Sequence, residues 1–587
     1  MTHHSKHITL IPHGGLANRM KAIAAGLRLA EAVDSQLHII WFANKDLNAK
    51  FCDLFLPIDS SRVTVTEGSK WTGLSLGRPR LGNVWVPAAY RMINHSRFMN
   101  VKTVTLHMDE GDFDFTAWAR GHNVWLATCV YFWGEPIPDD AFDIFHPQAD
   151  LQREIDRMAA QIDADTIGMH IRGTDNGPSQ LLSPPEAFAE YLHTLPQHVR
   201  VYLATDEASV KSDFKKEFGS RIVSMDHKVC RDTLDGMRDA VVEMFLLART
   251  SRIVGSGKST FSATPASIGR IPFQTVTEAR IASMHPAGHK HSDTLVIIVT
   301  YNAMPWLSKC IGSVLQSAVP ADIMVIDNKS TDDTEVTVRR DYPQVMFLEN
   351  YANLGFGQAN NIGMNYALQH GYRAVLLLNQ DAWIAPDAIG RMADALQRHP
   401  DLGIVSPIHL TGRGDKVEHG FSVYSGVTNL RQQPSDDVVT VPFIDAAIWY
   451  MPVSVFSHVG LFAPLFYHYG EDKDLANRMR YHHYRIGFVP GVYGYHDREG
   501  RRVTWDGFMR AEEVYHLSEY ANINYSRQRA IAMGLLAVAK KALLSALRLR
   551  LSACCDYIKL LWTLHKKSDK VMITRKQSAH VDLNNYR

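Results

Sequence analysis

Apolar runs short enough to be buried strands alternate with stretches of helical periodicity, and they do so in two successive series. The first series opens with Ile8–Pro12, turns at a Gly-Gly pair, and continues through a helical run, Asn18–Val33, into a second apolar run, Leu37–Phe42. Further strand-like runs fall at Thr166–Ile171, Val199–Ala204 and Arg252–Val254, and Asp239–Thr250 repeats its apolar residues at helical spacing. The second series runs strand Thr294–Thr300, helix Trp306–Ser317, strand Ile323–Ile326, strand Val345–Glu349, helix Gly357–His370 and strand Ala374–Leu378. Strands alternating with helices predict parallel sheets. A doubly wound order places ligands at the carboxyl ends of the strands.

At 587 residues the chain predicts three or four folding units. Between the two series lies Ser283–Ser292, with Pro, Gly and His285, His289 and His291 but little apolar content, which reads as a solvated linker. The predicted division is a domain over 1–283, a linker over 284–292, a domain over 293–525 and a tail over 526–587. Residues 526–567 of the tail carry nine Lys and Arg and one acid, Asp556, interleaved with leucines such as Leu535, Leu543, Leu547, Leu551 and Leu560. One or two basic amphipathic helices follow, whose apolar side either lies on an anionic membrane surface or packs on the neighbouring domain.

Composition adds exclusions. Hydrophobic residues at 46% and charged residues at 21% are ordinary for a globular protein, and a net charge of +1 removes any bulk electrostatic basis for nucleic-acid binding. The six cysteines form no CxxC pair and read as reduced thiols of a cytosolic protein. The opening MTHHSKHITLIPHGG has no apolar core for a signal peptide, and no uncharged run approaches the ~20 residues that span a bilayer.

The second series carries chemistry at its strand ends. Asp327, in VIDNKSTDD, could accept hydrogen bonds from a base or ribose, although an Asp/Ser-rich turn explains it equally. Asn379-Gln380-Asp381 follows the strand LLL, where a carboxylate can hold a hard divalent cation, Mg2+ or Mn2+, against a diphosphate. Glu471-Asp472 opens a helix in YGEDKDLANRMR; such carboxylates can serve as a general base or, as Asp474 reads, favour a helix N-terminus. His496, in GYHDRE, is a candidate second metal ligand. In order, TYN, VIDNKSTDDT, NLGFGQANNIGM, LLLNQDAW, YGEDKDL and GYH closely resemble the family-2 inverting glycosyltransferases of GT-A fold, in particular the rhamnosyltransferase-like branch. The resemblance implies nucleotide contacts at Thr300, Tyr301, Asn302 and Asp327, and sugar or phosphate contacts near Asn353, Gly355 and Asn360. It implies that Asp381 is the metal-binding member of a DxD-like motif, that Asp472 is the catalytic base beside Glu471, and that His496 is an added metal ligand. Asn379 departs from the family's usual Asp.

In the first series, the turn His13-Gly14-Gly15-Leu16-Ala17-Asn18-Arg19 lets the backbone approach a ligand, and Asn18 can cap the following helix. Arg172, in His170-Ile171-Arg172-Gly173-Thr174-Asp175, is suited to a diphosphate or to a surface ion pair with Asp175. A P-loop ending at Gly257-Lys258-Ser259 would need glycine at 252, where Arg252 stands; Ser259, Thr260 and Ser262 instead open a helix that could hold phosphate. The GGLANR turn, HIRGTD and GS…STFS together resemble the GDP-fucose-dependent fucosyltransferases of GT-B type. That resemblance implies metal-independent inverting transfer without a cofactor, with Arg172 on the β-phosphate and Asp206 near the guanosine; Gly173 stands where the family often has a second basic residue.

The expected architecture is α/β: a GT-B-like, Rossmann-type N-terminal part, a GT-A nucleotide-sugar transferase domain and a basic amphipathic helical tail. The expected function is a bifunctional glycosyltransferase of cell-surface polysaccharide or lipopolysaccharide (O-antigen) synthesis, peripheral on the inner face of the cytoplasmic membrane. The N-terminal head would use a GDP-fucose-like donor and the C-terminal head a UDP-, dTDP- or GDP-sugar, on a glycan or lipid-linked glycan acceptor. The competing reading keeps only the C-terminal activity and makes the N-terminal part a non-catalytic glycan- or nucleotide-binding module.

Overall fold

The computed structural model describes residues 6–68, 95–110, 113–134, 137–173, 182–225, 232–257, 259–283, 292–430, 437–498, 504–581 and 583. Thr174, Asp175, Cys230, Lys258 and the linker histidines His285, His289 and His291 lie outside these residues. The five cysteines within them, Cys52, Cys129, Cys310, Cys554 and Cys555, are free thiols. The chain forms two compact units, Met1–Ser283 and Met284–Arg587.

The first unit holds two five-stranded sheets. One contains β1 (His7–Pro12), β2 (Gln36–Trp41), β3 (Val63–Glu67), β4 (Arg97–Met99) and β5 (Val124–Thr128), in the order β3-β2-β1-β5-β4. The other contains β6 (Ile167–Ile171), β7 (Val201–Thr205), β8 (Ile222–Val223), β9 (Ile253–Gly255) and β10 (Phe273–Thr275), in the order β10-β9-β6-β7-β8. All pairings in both sheets are parallel. Every position of β5, β6 and β7 is buried, which is why these strands read as continuous apolar runs rather than alternating ones. The first helix, Leu16–Ala32, begins earlier than its apolar periodicity suggests. Gly14 takes φ +80, a left-handed conformation that closes the turn, and Gly15 becomes the N-cap. Asn18 therefore lies in the first helical turn and is not the cap.

The second unit is built on one nine-stranded sheet. Its strands are β11 (Thr294–Thr300), β12 (Asp322–Asp327), β13 (Met346–Glu349), β14 (Ala374–Asn379), β15 (Ala382–Ile384), β16 (Leu402–Thr411), β17 (Val439–Thr440), β18 (Ile448–Pro452) and β19 (Arg485–His496). The path is β13-β12-β11-β14-β18-β16-β19-β15, with β17 on β19. The four strands from β13 to β14 are parallel, as the alternation predicts, whereas β18 runs antiparallel to β14 and β15 runs antiparallel to β19. The helix Glu471–Tyr481 is anchored by Arg478, which has no solvent exposure. Its guanidinium pairs with Asp474 at 2.9 Å and donates to the carbonyls of Val459 and Leu461. Asp474 is thus a buried ion-pair partner as well as a first-turn acid.

The tail folds onto this unit. Arg527–Leu547 is one helix with a π-helical segment at Ala532–Leu536, followed by helices Leu551–Lys566 and Ser568–Ala579. Ala530, Val538, Ala542, Leu560 and Leu564 share an apolar cluster with Leu517 and Tyr520 of the helix Trp505–Ala521. By length and composition Arg527–Leu547 suffices to cross a membrane, with mean hydropathy 1.7 in its most apolar window, 22% of which is buried. A search for charge-free runs misses it because Lys540 and Lys541 interrupt the sequence without lowering the average enough.

Replacing Arg478 by Ala leaves Asp474 charged and buried. The expected cost is about 3–5 kcal/mol, read as a lowered denaturation midpoint by far-UV circular dichroism. A loss below about 1 kcal/mol would show that the pair does not anchor the helix.

Candidate active sites

In the second unit the strand ends gather the polar residues. Thr300 and Asp327 are partners in the β11–β12 register. The Asp327 carboxylate accepts from the Thr300 hydroxyl at 2.6 Å and from the amide and hydroxyl of Ser330 at 2.7 and 2.6 Å. It is almost fully buried, so it fixes the crest loop from within. Asn302 stands at φ +53 and its side-chain oxygen accepts from the Thr331 amide at 2.8 Å. Tyr301 is exposed, and its backbone is tied to the Gln380 side chain at 2.7 and 3.2 Å, which joins the loops after β11 and β14. Gly355, at φ +79, is required by space as well: a Cβ there would stand 2.0 Å from the Tyr467 carbonyl oxygen. Asn353 accepts from the Gly355 amide at 2.9 Å and, through its carbonyl, from the Tyr467 hydroxyl at 2.9 Å. Asn360 is buried in the helix Phe356–Gln369, and its amide donates to the Phe356 carbonyl at the first residue of that helix.

Asp381 and His496 do meet. Pairing of β15 with β19 sets Ala382 opposite His496 and leaves the Asp381 carboxylate 3.5 Å from His496 Nε2. The buried His496 Nδ1 and Asn379 Oδ1 have no hydrogen-bond partner. An imidazole, a carboxylate and an unsatisfied amide oxygen at one edge fit a divalent cation by their donor chemistry.

Glu471 and Asp472 open their helix behind Gly470, which takes φ +91. Asp472 accepts from the Lys473 amide at 2.7 Å and from the Ala446 amide. Burial pushes its carboxyl up to about 6, with the Asp445 charge adding to the rise. Burial likewise pushes Glu471 up to about 7, helped by the Asp472 charge, and one Glu471 oxygen is buried without a partner. Perturbed carboxyls of this kind gather where a proton is to be moved. The motif reading missed three neighbours of His496: His409, Glu418 and Asp445. They come from distant segments, and the only local signal is a histidine inside the apolar strand LGIVSPIHLT.

In the first unit, a cavity is lined by Gly15, Asn18, His170, Arg172, Asp206, Glu243, Thr260 and Phe261, among others. The Arg172 guanidinium pairs with Asp206 at 3.1 Å, and the other Asp206 oxygen accepts from the Gly173 amide at 2.8 Å. A Cβ at position 173 would stand 2.3 Å from the Glu207 carboxyl carbon, so a larger residue there requires Glu207 to move. His170 is held by the Ser262 hydroxyl at 2.7 Å, and burial pushes it down to about 4, leaving it neutral. Ser262 is itself buried, while Ser259 is the N-cap residue of Thr260–Gly269 and makes no side-chain cap bond. Arg19 is fully buried, donates to the Gly14 and Phe42 carbonyls at 2.8 and 2.7 Å, and lies 4.6 Å from the Trp41 ring centre. It braces the glycine turn from beneath and does not line the cavity. Glu243, absent from the motif reading, is buried 3.6 Å from Lys211 Nζ and is pushed up to about 7 by burial.

The C-terminal unit matches the model of the glycosyl transferase family 2 over residues 295–459. The N-acetylglucosaminyl-diphospho-decaprenol L-rhamnosyltransferase of Mycobacterium tuberculosis is 27% identical over 236 residues, covering 35% of this chain and 75% of that protein. Among solved structures, the α-1,6-fucosyltransferase NodZ from Bradyrhizobium, in a crystal soaked with GDP-fucose, aligns at 17% identity and a TM-score of 0.34 over 45% of this chain and 92% of that one. TarS of S. aureus aligns at 15% identity and a TM-score of 0.34, over 50% of this chain and 54% of that one. With the α/β crest and its acidic cluster, the matched segment identifies residues 295–459 as a glycosyl transferase family 2 domain, and the chain is a glycosyltransferase.

Proposed function

We propose that the chain is a bifunctional glycosyltransferase of cell-surface polysaccharide or O-antigen synthesis. What supports the reading is that each unit brings together side chains suited to sugar transfer: Asp381 beside His496, with Asp472, in the second, and Arg172 beside Asp206 in the first. In the second unit Asp472 takes the proton of the acceptor hydroxyl as that oxygen attacks the anomeric carbon. The bond from the anomeric carbon to the nucleoside diphosphate breaks on the opposite face, which inverts the configuration. A divalent cation held by Asp381 and His496 would supply charge neutralisation for the departing diphosphate. Glu471 sits beside the base, and burial shifts its carboxyl toward the neutral form. In the first unit the Arg172 guanidinium would neutralise a GDP leaving group directly, positioned by Asp206. The mycobacterial relative is by name an enzyme acting on a diphospho-decaprenol-linked sugar, and this supports a lipid-linked acceptor here. Holding both heads on one chain keeps that acceptor at high local concentration for the second transfer.

The tail supports a membrane address. Leu547, Leu549 and Leu551 form the tip between two tail helices and are 72%, 85% and 68% exposed, alternating with Arg548 and Arg550. Leu536 and Leu543 continue the exposed face. Leucines that insert, flanked by arginines that meet anionic headgroups, suit the cytoplasmic leaflet.

With a panel of UDP-, GDP- and dTDP-sugars and lipid-linked acceptor extracts, Asp472→Asn should lower one transfer by about 10²–10⁴-fold. That transfer should also be abolished by EDTA and restored by Mn2+. Arg172→Ala should abolish a second transfer that survives EDTA. If only the metal-dependent transfer appears, the N-terminal unit is a binding module and the bifunctional reading fails. For the tail, changing Leu547, Leu549 and Leu551 together to Ser should lower sedimentation with phosphatidylglycerol vesicles at least tenfold. Unchanged sedimentation would remove the membrane assignment.

A further inference from the structure

Behind the crest of the second unit, four side chains from four segments converge. His409 comes from β16, Glu418 caps the helix His419–Ser425, Asp445 precedes β18, and His496 ends β19. One ligand atom from each lies within 4.8 Å of all the others. Both imidazoles are essentially without solvent exposure, at 0% for His409 and 1% for His496. His409 Nε2 is fixed by the Ser406 hydroxyl at 2.8 Å, but its Nδ1 has no hydrogen-bond partner. Neither has His496 Nδ1, nor Asp445 Oδ1, although Asp445 lies 3.3 Å from His409 Nδ1 and from Arg498 Nη1. Glu418 is held in place by accepting from the Phe421 amide at 2.8 Å.

Three buried polar atoms without partners, in one cluster, are costly: each carries about 1–3 kcal/mol of unrecovered desolvation. His409 Nδ1 and Asp445 Oδ1 face one another at 3.3 Å and can pair, which leaves the buried His496 Nδ1 as the atom of the three that an added ligand must satisfy. A metal ion satisfies all of them at once, because it accepts lone pairs from both imidazoles and both carboxylates. Metal–ligand bonds of about 2.0–2.2 Å place ligand atoms roughly 3.3–3.6 Å apart, so closing from the present separations is a matter of small side-chain rotations. Two nitrogens and two oxygens suit a borderline divalent ion such as Zn2+ or Co2+ better than Mg2+ or Ca2+, which prefer oxygen alone.

We propose that His409, Glu418, Asp445 and His496 form a preformed, protein-only site for a borderline divalent metal ion, filled without nucleotide. The proposal deepens the glycosyl-transfer reading, because His496 is shared: with Nδ1 on this ion its Nε2 carries the proton and faces Asp381, so Asp381 and not His496 would hold the cation at the diphosphate. The ion would lock the ring of His496, and with it the edge of β19 that faces Asp381. It would also hold Asp445 beside Ala446, whose amide steadies Asp472.

The test is a Co2+ titration of the chelator-treated full chain without nucleotide, followed by visible ligand-field absorption and calorimetry. One equivalent is expected to bind to the wild type and to Asp381→Asn. His409→Ala and Asp445→Asn should each lose that equivalent, with affinity falling at least tenfold. Binding that survives in His409→Ala would belong to other histidines, such as His3, His4 or those of the linker, and would overturn the proposal. So would loss in Asp381→Asn alone, or no binding without nucleotide. Should the two variants fail to fold, X-ray absorption of the Zn2+-loaded wild type decides: two imidazoles in the metal shell are expected, and one or none refutes the site. The transfer reading fails separately, if Asp472→Asn leaves glycosyl transfer intact whatever the Co2+ titration shows.

Discussion

The second unit depends on one constraint: β11, β12 and β14 are buried almost throughout, so the polar groups they bring to the crest stand where these strands stop. β11, β12 and β14 carry apolar side chains through the core and become polar at Thr300, Asp327 and Asn379. Parallel pairing puts all three stops on one edge, and the loops beyond them are knit together by short hydrogen bonds among Thr300, Asp327, Ser330, Tyr301 and Gln380. The crest is therefore knit together without a ligand, which suits the diphosphate site proposed for it. The first unit obeys the same rule in its second sheet, where Arg172, Asp206 and Ser256 follow the ends of β6, β7 and β9.

Burial also sets the electrostatics. Glu471, Asp472 and Glu243 are pushed up because their charged forms lose water, with neighbouring carboxylates contributing less. Arg478 and Asp474 show the opposite solution, a buried pair that satisfies itself and serves only to hold the helix. The two kinds of acid stand within one turn of each other in YGEDKDL, and only the partners distinguish them.

Legibility in the sequence followed sequence distance. The β11–β14 core could be read almost to the residue, because each strand is a local apolar run ended by a polar motif. The antiparallel pairings of β15, β16, β18 and β19 could not, since no short turn announces them and the partners lie far apart. Asp381, Asp472 and His496 are visible as motif residues, but their connection through Asp445 and Ala446 exists only in the fold. Arg19 and Asn360 each stand in a ligand-like motif and also serve the fold, Arg19 by bracing a glycine turn and Asn360 by bonding to its own helix. The tail was ambiguous between membrane and core because a helix has more than one face, and here Val538 faces inward while Leu543 faces out.

That double-sided tail has a mechanical consequence. The helix Glu471–Tyr481 is joined to the helix Trp505–Ala521 by Lys473 to Glu519 at 2.8 Å, and to the segment after it by Asn524 to the Asn477 carbonyl at 2.9 Å. The same Trp505–Ala521 helix shares its apolar side with the tail. The leucine tip and the helix that carries Asp472 are thus linked through packed helices. Under the proposed membrane address, with the tip seated in lipid, this body would act as a ruler: it would fix how far above the bilayer an acceptor hydroxyl must stand to be reached, and so would select glycans by their height on the lipid as well as by their sugars.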